Sequence, residues 1–110
     1  MAISRGEKRV IATVTEGGLE LLRNVAGCLV ASDAELVVLL AAPVEGGTAI
    51  TADRGAASTF DCGAFLKRAA SLAGGRGGGR PDHAEGRVGP AIDWSDVAAK
   101  ALAGAHASHQ

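Results

Sequence analysis

The chain has 110 residues, of which 47% are hydrophobic, and a formal net charge of −1 at pH 7. This length suits one domain with a single core, and the near-neutral charge provides no overall basic field of the kind that attracts nucleic acid. Only three residues are aromatic, so the core must be built from alanine, valine and leucine.

Two cysteines, Cys28 and Cys62, lack the spacing of a metal site, and both fall within helical patterns. The sequence shows neither a secretory signal nor an apolar run of membrane-spanning length. We therefore expect reduced thiols in a cytoplasmic protein without a membrane partner.

The chain begins with a strand and a helix. A β-branched run at 10–14 predicts a strand that is buried on both faces. Apolar residues then recur at three- and four-residue spacing, which predicts an amphipathic helix over 18–32.

Two further strands follow that helix. Residues 35–42 are the most apolar stretch of the chain and predict a second buried strand, which Pro43 ends. The sequence Glu45-Gly46-Gly47 is typical of a hairpin turn. Alternation over 48–52 predicts the return strand, half exposed at a sheet edge.

Two more helical patterns occupy the second half of the chain. Asp61 is placed to cap the first of them by accepting a backbone hydrogen bond, and Asp93 is placed to cap the second. Gly74 stands where a left-handed residue closes a helix. The apolar residues of each helix share one face: Cys62, Phe65, Leu66, Ala69 and Ala73 in the first, and Trp94, Val97, Ala98, Ala101, Leu102 and Ala105 in the second. The predicted order is β-α-β-β-α-loop-α, an α/β (α+β) fold with a small mixed sheet and packed helices, in one domain over 1–110.

The segment between these helices departs most from average composition. It contains a glycine-rich loop at 74–80, which is costly unless the backbone needs positive φ or a ligand must touch it. Residues 67–87 hold five basic and two acidic residues, a balance of +3, whereas the remainder holds six basic and ten acidic residues. Positive charge is thus concentrated around the loop, where an anionic ligand would bind. Charge alone also allows a loop that its arginines merely keep soluble.

The loop does not fit the common nucleotide motifs. A P-loop requires Lys-Ser/Thr after its last glycine, but Arg80-Pro81 stand there. A dinucleotide fingerprint follows a strand and opens a helix, whereas this loop follows a helix.

Metal and hydrolytic chemistry are poorly supported as well. His83, His106 and His109 are the only histidines, and no cluster with cysteine completes a metal site. Cys62 with His83 as nucleophile and base is the alternative, but Cys62 lies on the apolar helix face. The simplest role for Asp82 is to accept backbone N–H bonds and brace the loop. We expect no catalytic residue, metal or cofactor.

The residues 74–86, Gly-Gly-Arg-Gly-Gly-Gly-Arg-Pro-Asp-His-Ala-Glu-Gly, resemble the signature of the DHH-associated C-terminal domain in its alanyl-tRNA synthetase form, called C-Ala. That pattern is a glycine run, then Arg-Pro-Asp, a variable residue, Ala, usually Gln, and more glycines. Here Glu85 replaces the glutamine, and Arg87-Val88 interrupt the trailing glycines. The β-α-β-β-α order is also similar, so the resemblance covers nearly the whole chain, either as a free-standing protein or as part of a synthetase.

The resemblance implies a non-catalytic module that grips the elbow of the L-shaped tRNA, with alanine tRNA as the partner. In the parent alanine–tRNA ligase it helps the aminoacylation and editing domains to share one tRNA, and some members form homodimers. Structured RNA is read by shape, so glycine backbone and arginine side chains suit such contacts. The predicted RNA-binding residues are Lys67, Arg68, Arg76, Gly77, Gly78, Gly79, Arg80 and His83, with Asp82 as the internal brace of the loop.

Two alternatives remain open. The chain could be a dimerisation or protein-interaction module, in which the glycine loop only packs against the last helix. It could also be the substrate-binding domain of a DHH-type phosphodiesterase, which would need a metal-binding partner domain.

Overall fold

The computed structural model describes residues 8–13 and 18–107, which contain five strands and three helices. In chain order the elements are β1 (Lys8–Thr13), α1 (Gly18–Ser32), β2 (Leu36–Val44), β3 (Gly47–Arg54), α2 (Cys62–Leu72), β4 (Arg76–Gly79), β5 (His83–Val88) and α3 (Trp94–Ala107). The first predicted strand is confirmed over 10–13, while residue 14 lies outside the described residues. Its predicted burial on both faces is wrong, because β1 lies at the edge of the sheet and Ile11 is 37% exposed. The helix over 18–32 is confirmed.

The five strands form one mixed sheet in the order β1-β2-β3-β5-β4. β1 runs parallel to β2, and the other neighbours are antiparallel. α1 packs on β2 and β3 from one side, while α2 and α3 cover the other side. The predicted α/β class, a small mixed sheet with packed helices, is therefore confirmed. Among the described residues, no helix is long and apolar enough to cross a membrane.

The core lies on both faces of β2, which explains the continuous apolar run of that strand. On one face Leu22 of α1 is fully buried. On the other face Phe65 of α2 and Trp94 of α3 meet edge to face, with ring centroids 6.1 Å apart. The indole Nε1 of Trp94 donates to the carbonyl of Leu39 at 3.0 Å, which anchors α3 to the sheet.

The predicted end of the second strand at Pro43 is wrong, because β2 continues through Pro43 to Val44. The hairpin turn at Glu45–Gly46 is confirmed, and it pairs Val44 with Gly47. In a two-residue hairpin that flanking pair carries the hydrogen bonds. The next pair, Pro43 with Thr48, therefore needs no N–H between the two strands.

The predicted edge position of 48–52 is also wrong. β3 lies between β2 and β5, and its first six residues are buried. Its alternation arises because Thr48 and Thr51 are buried polar residues, not because one face meets solvent. The hydroxyl of Thr48 donates to the carbonyl of Gly89 at 2.8 Å.

The loop predicted at 74–80, and the irregular stretch after it, instead form the hairpin β4–β5. Glycine has low strand propensity, so a run of it carries no strand signal in the sequence. The flanking predictions are confirmed: Asp61 Oδ1 accepts the Ala64 N–H at 3.1 Å, and Gly74 adopts φ +77°. At α3, Asp93 Oδ1 accepts the Asp96 N–H at 3.3 Å.

Candidate nucleic-acid interface

The glycine-rich segment forms β4, which pairs with β5 along one edge and packs on α2 with one face. A turn joins the two strands, with the Arg80 N–H donating to the His83 carbonyl at 2.9 Å. The Cys62 N–H at the start of α2 donates to the Pro81 carbonyl at 2.8 Å, which ties the helix to that turn. Among the described strands, none pairs with the outer side of β4, so its other edge is free.

Glycine allows the backbone of β4 to lie directly on α2. An ideal Cβ on Gly77 would come within 2.8 Å of Leu66 Cδ1 and 3.0 Å of Gly86 Cα. In the same way, a Cβ on Gly63 of α2 would come within 2.6 Å of the Gly79 carbonyl oxygen. The helix and the strand are therefore closer than side chains on either would permit.

Gly78 is different, because its outer side is open. Its φ is +157°, a backbone conformation that L side chains rarely adopt, and no heavy atom lies within 4 Å of an ideal Cβ. Gly78 pairs with Glu85, so this open side is the face of the hairpin that points away from α2. The backbone of Gly78 is thus accessible to a ligand.

A groove follows the free edge of β4 along α2. Its first part has a volume of about 430 Å³ and runs past the start of the helix and the hairpin turn. A second part of about 500 Å³ continues toward the C-terminal end of α2. Lys67 and Gly77 line both parts. We call this surface the edge groove; its lining residues are Asp61, Gly63, Ala64, Lys67, Ala70, Ser71, Gly75, Arg76, Gly77, Gly78, Gly79 and Pro81.

The other side of the hairpin is a second polar surface, which we call the open face. Paired residues of an antiparallel ladder point to the same side, and the backbone of α1 packs on β2 and β3 and leaves β5 and β4 uncovered. Arg76 stands opposite Arg87, and both are exposed. The open face is formed by Arg76, Gly78, His83, Glu85 and Arg87.

A chain of hydrogen bonds crosses this face and joins β3, β5 and α1. Asp53 Oδ1 lies 2.5 Å from His83 Nδ1, and His83 Nε2 lies 2.8 Å from Glu85 Oε2. Arg23 of α1 donates to both oxygens of Glu85, from Nε at 2.7 Å and from Nη2 at 2.8 Å. Such a two-point contact between guanidinium and carboxylate is the strongest common ion-pair geometry.

The charges in this chain of hydrogen bonds shift the pKa values of its members. Burial alone lowers the pKa of His83, but the hydrogen bonds and charges of Asp53 and Glu85 outweigh it, so the pKa is raised. Burial raises the pKa of Asp53, against the opposing effect of His83. The hydrogen bond from Arg23 holds the pKa of Glu85 below its usual range. The raised pKa of His83 and the lowered pKa of Glu85 favour a protonated imidazole beside the Glu85 carboxylate.

The structure brings together some of the predicted RNA-binding residues and separates others. Lys67, Arg76 and the glycines 77–79 line the edge groove. Arg80 projects from the hairpin turn with its side chain 75% exposed. Arg68 turns toward α3, where its Nε donates to the Ala101 carbonyl at 3.0 Å. His83 lies on the opposite side, on the open face.

Asp82 lies in the same turn as Arg80. Its carboxylate is 3.3 Å from Arg80 Nε, and its backbone carbonyl accepts the Arg54 N–H at 3.3 Å. The bracing role predicted for the Asp82 side chain remains a prediction.

Sequence reasoning missed the partners on the open face, namely Arg23, Asp53, Glu85 and Arg87. A local signal existed for two of them: residues 83–88 alternate between polar and small or apolar side chains, as a half-exposed strand does. Arg23 carried no such signal, since it is 62 positions from Glu85. Within the described part of the chain, no group of three or more His, Cys, Asp or Glu residues is arranged to hold a metal.

Comparison with known proteins shows which sequences and structures this chain resembles. No protein-family model matches the chain. Over 83 residues, 74% of the chain, it is 37% identical to the alanine–tRNA ligase of Carboxydothermus hydrogenoformans, of which it spans 10% of the length. Its structure is similar to the crystal structure of the C-Ala domain from Aquifex aeolicus alanyl-tRNA synthetase, with a TM-score of 0.68 and 25% identity, covering 86% of this chain and 85% of that one.

The fold and the likenesses together define a class: a small α/β domain that corresponds to one part of a much larger enzyme. This chain is a C-Ala-like domain. The resemblance to the C-terminal domain of alanyl-tRNA synthetase is thereby confirmed. That domain is a non-catalytic part of its parent, and the parent enzyme is an alanine–tRNA ligase.

Proposed function

We propose that this chain binds the elbow of tRNA, with alanine tRNA as its partner, and so supports aminoacylation and editing by the enzyme that acts on that tRNA. The observation that carries the proposal is the edge groove. It combines a free strand edge of glycine residues with Lys67, which lines both of its parts. Arg80 lies in the adjoining turn, between the lining residues Gly79 and Pro81. The similarity to a part of an alanine–tRNA ligase supports the same partner.

The free edge of β4 offers backbone groups to a ligand. The Arg80 N–H donates to the His83 carbonyl and so points toward β5. Successive N–H groups of a strand point alternately to its two edges. The N–H groups of Gly77 and Gly79 therefore turn toward the free edge. Backbone N–H groups without covering side chains can bond phosphate oxygens or a 2′-hydroxyl, which are the groups that structured RNA presents.

Charge adds attraction without base specificity. Lys67 is exposed beside the groove, and Arg80 extends from the turn with its side chain 75% exposed. With about three phosphate contacts, the logarithm of the association constant should fall with the logarithm of salt concentration at a slope of roughly −2 to −3. Affinity of the isolated domain should therefore be modest, and tethering to other RNA-binding domains would raise it through effective concentration.

The test is binding of transcribed alanine tRNA at low salt, compared with an unstructured RNA of the same length. We expect tighter binding to the tRNA. The variants Lys67→Gln and Arg80→Gln should weaken it. The matched control is Arg9→Gln, because β1 lies four strands from β4, roughly 19 Å across the sheet.

The control should bind as the unmodified chain does. Equal affinity for the two RNAs, with no salt dependence, would contradict tRNA binding. Equal losses from Arg9→Gln and Arg80→Gln would show that only overall charge matters, and would contradict the groove as the site.

Self-association is the second candidate, favoured by one observation. Leu72 at the end of α2 is 54% exposed, beside a shallow groove of about 240 Å³ whose lining includes Ala101. Sedimentation equilibrium with and without tRNA separates the two functions. A dimer that forms without RNA and dissociates in Leu72→Ser supports self-association; a monomer that sediments with tRNA supports the first proposal.

A further inference from the structure

We propose that Arg23 and His83 are positioning residues that neutralise Glu85, so that the open face of the hairpin can lie against the phosphates of an RNA bound at β4. This inference rests on the proposed RNA-binding function and names residues outside the edge groove. It assigns a role to the chain of hydrogen bonds on the open face, whose residues do not line the edge groove.

Glu85 is the acidic side chain in the middle of an otherwise neutral or basic surface. It stands directly opposite Gly78, the glycine whose outer side is open. Arg76 and Arg87 form a cross-strand pair two positions further along the same hairpin. A free carboxylate at this place would repel a phosphate that approached the exposed backbone of Gly78.

Arg23 removes most of that repulsion. It contacts both carboxylate oxygens of Glu85, although its own side chain is 56% exposed and that of Glu85 is 25% exposed. Arg23 is therefore the more exposed member of the pair. The pair as a whole carries no net charge, so Arg23 offsets the repulsion between Glu85 and an approaching phosphate.

His83 completes the neutralisation from the other side. Its Nε2 contacts Glu85 Oε2, and its Nδ1 contacts Asp53 Oδ1. A protonated imidazole donates to both carboxylates. A neutral imidazole donates to only one, so the other ring nitrogen then turns a lone pair toward an oxygen anion.

The charged groups around His83 come from each element that packs there. Asp53 faces it from β3 and Glu85 from β5, while Asp82 and Arg80 lie in the adjoining turn. From α1, Arg23 reaches it through Glu85, and Glu20 acts on Arg23. The carboxylates dominate the immediate contacts, so deprotonation of His83 leaves the open face more negative.

The test is a double-mutant cycle of Arg23→Gln and Glu85→Gln, read out as the dissociation constant for alanine tRNA at low salt. Arg23→Gln should weaken binding roughly five-fold, the effect of one unit charge about 4 Å from a phosphate at the dielectric constant of water. Glu85→Gln should bind at least as tightly as the unmodified chain. In the double variant, Glu85→Gln should restore most of the loss, because the carboxylate that Arg23 masks is gone.

The rescue separates charge masking from a structural role. If Arg23 served only to hold α1 against β5, Glu85→Gln would break the same contact and could not restore binding. The pH profile gives a second readout: binding by the unmodified chain should weaken as pH rises through the pKa of His83, and Glu85→Gln should flatten that profile.

Two failures can be told apart. If the unmodified chain does not bind tRNA, the proposed function fails, and this inference fails with it. If the unmodified chain binds but Arg23→Gln loses no more than the control Arg9→Gln, or if Glu85→Gln gives no rescue, only the masking role is overturned.

Discussion

Gly77 of β4 and Gly86 of β5 lie directly opposite each other, and Leu66 Cδ1 packs over both of them from α2. An ideal Cβ on either glycine would come within 3 Å of that methyl group. The hairpin therefore brings two strand backbones against the buried face of α2. The glycine run is part of the core packing on this side, as well as a surface for a ligand on the other.

Replacing Gly77 with alanine should destabilise the fold by about 1–3 kcal/mol, because the new methyl group overpacks Leu66 and the Gly86 backbone. Urea unfolding measures the change. The matched control is Gly27→Ala in α1, where no atom lies within 4 Å of the added Cβ. That control should stabilise the chain by up to about 1 kcal/mol, as alanine is the better helix former. A loss in the control equal to that in Gly77→Ala would contradict the packing argument.

Gly78→Val should lower both stability and RNA affinity, for two separate reasons. The φ of +157° strains an L residue by roughly 1–3 kcal/mol, and the side chain would cover backbone that is now open. Gly77→Ala, whose methyl group points toward α2, provides the comparison at matched stability. If Gly78→Val bound tRNA as well as Gly77→Ala does, the exposed backbone of Gly78 would have no part in binding.

Stability should decline as pH rises above neutrality, because the pKa of His83 is higher in the folded chain than in the unfolded one. The contribution is fully present below the unfolded pKa of about 6.5 and is lost as pH rises through the folded value. Glu85 titrates below this range, since its pKa is lowered. Cys62 lowers stability only as pH approaches its unfolded pKa of 9.0 and above, where the unfolded thiol ionises while burial keeps the folded one protonated.

Urea unfolding between pH 5.5 and 8 measures this decline, and His83→Gln should remove it. An unchanged profile in His83→Gln would assign the pH dependence to other groups.

The two thiols should react at very different rates. Cys28 is exposed, whereas Cys62 is fully buried and burial raises the pKa of its thiol to about 12. Since the thiolate is the reactive form, iodoacetamide at pH 8 should modify Cys28 and leave Cys62 intact until the chain unfolds. Peptide mass mapping with and without urea reads this out. Rapid modification of Cys62 in the native chain would contradict its burial under the hairpin turn.

Local patterns predicted a good part of this fold. The buried strand β2, the hairpin after it and the capped helix α2 are each specified by neighbouring residues, so periodicity and turn chemistry revealed them. The position of β3 depends instead on its pairing with β5, which a glycine-rich hairpin hides from propensity. A prediction that misses the hairpin gives β3 only one neighbouring strand and therefore places it at the edge of the sheet.

The candidate site divides in the same way. Lys67, Arg76 and the glycines 77–79 are close in sequence, and the fold places them in one groove. The open face depends on Arg23, which meets Glu85 only because α1 packs on β3, the strand next to β5. A contact between residues 62 positions apart, set by tertiary packing, leaves no periodic trace in the chain.

Binding of alanine tRNA as a function of salt tests the central claim most directly, with the unmodified chain, Arg80→Gln and Arg9→Gln measured side by side. We expect tighter binding to tRNA than to unstructured RNA and a salt slope of roughly −2 to −3. Arg80→Gln should weaken binding and reduce the slope by about 1, with Arg9→Gln unchanged. Stability of Arg80→Gln should stay within about 0.5 kcal/mol, because the side chain is exposed. Identical slopes and affinities for all three proteins would contradict RNA binding at the β4 edge.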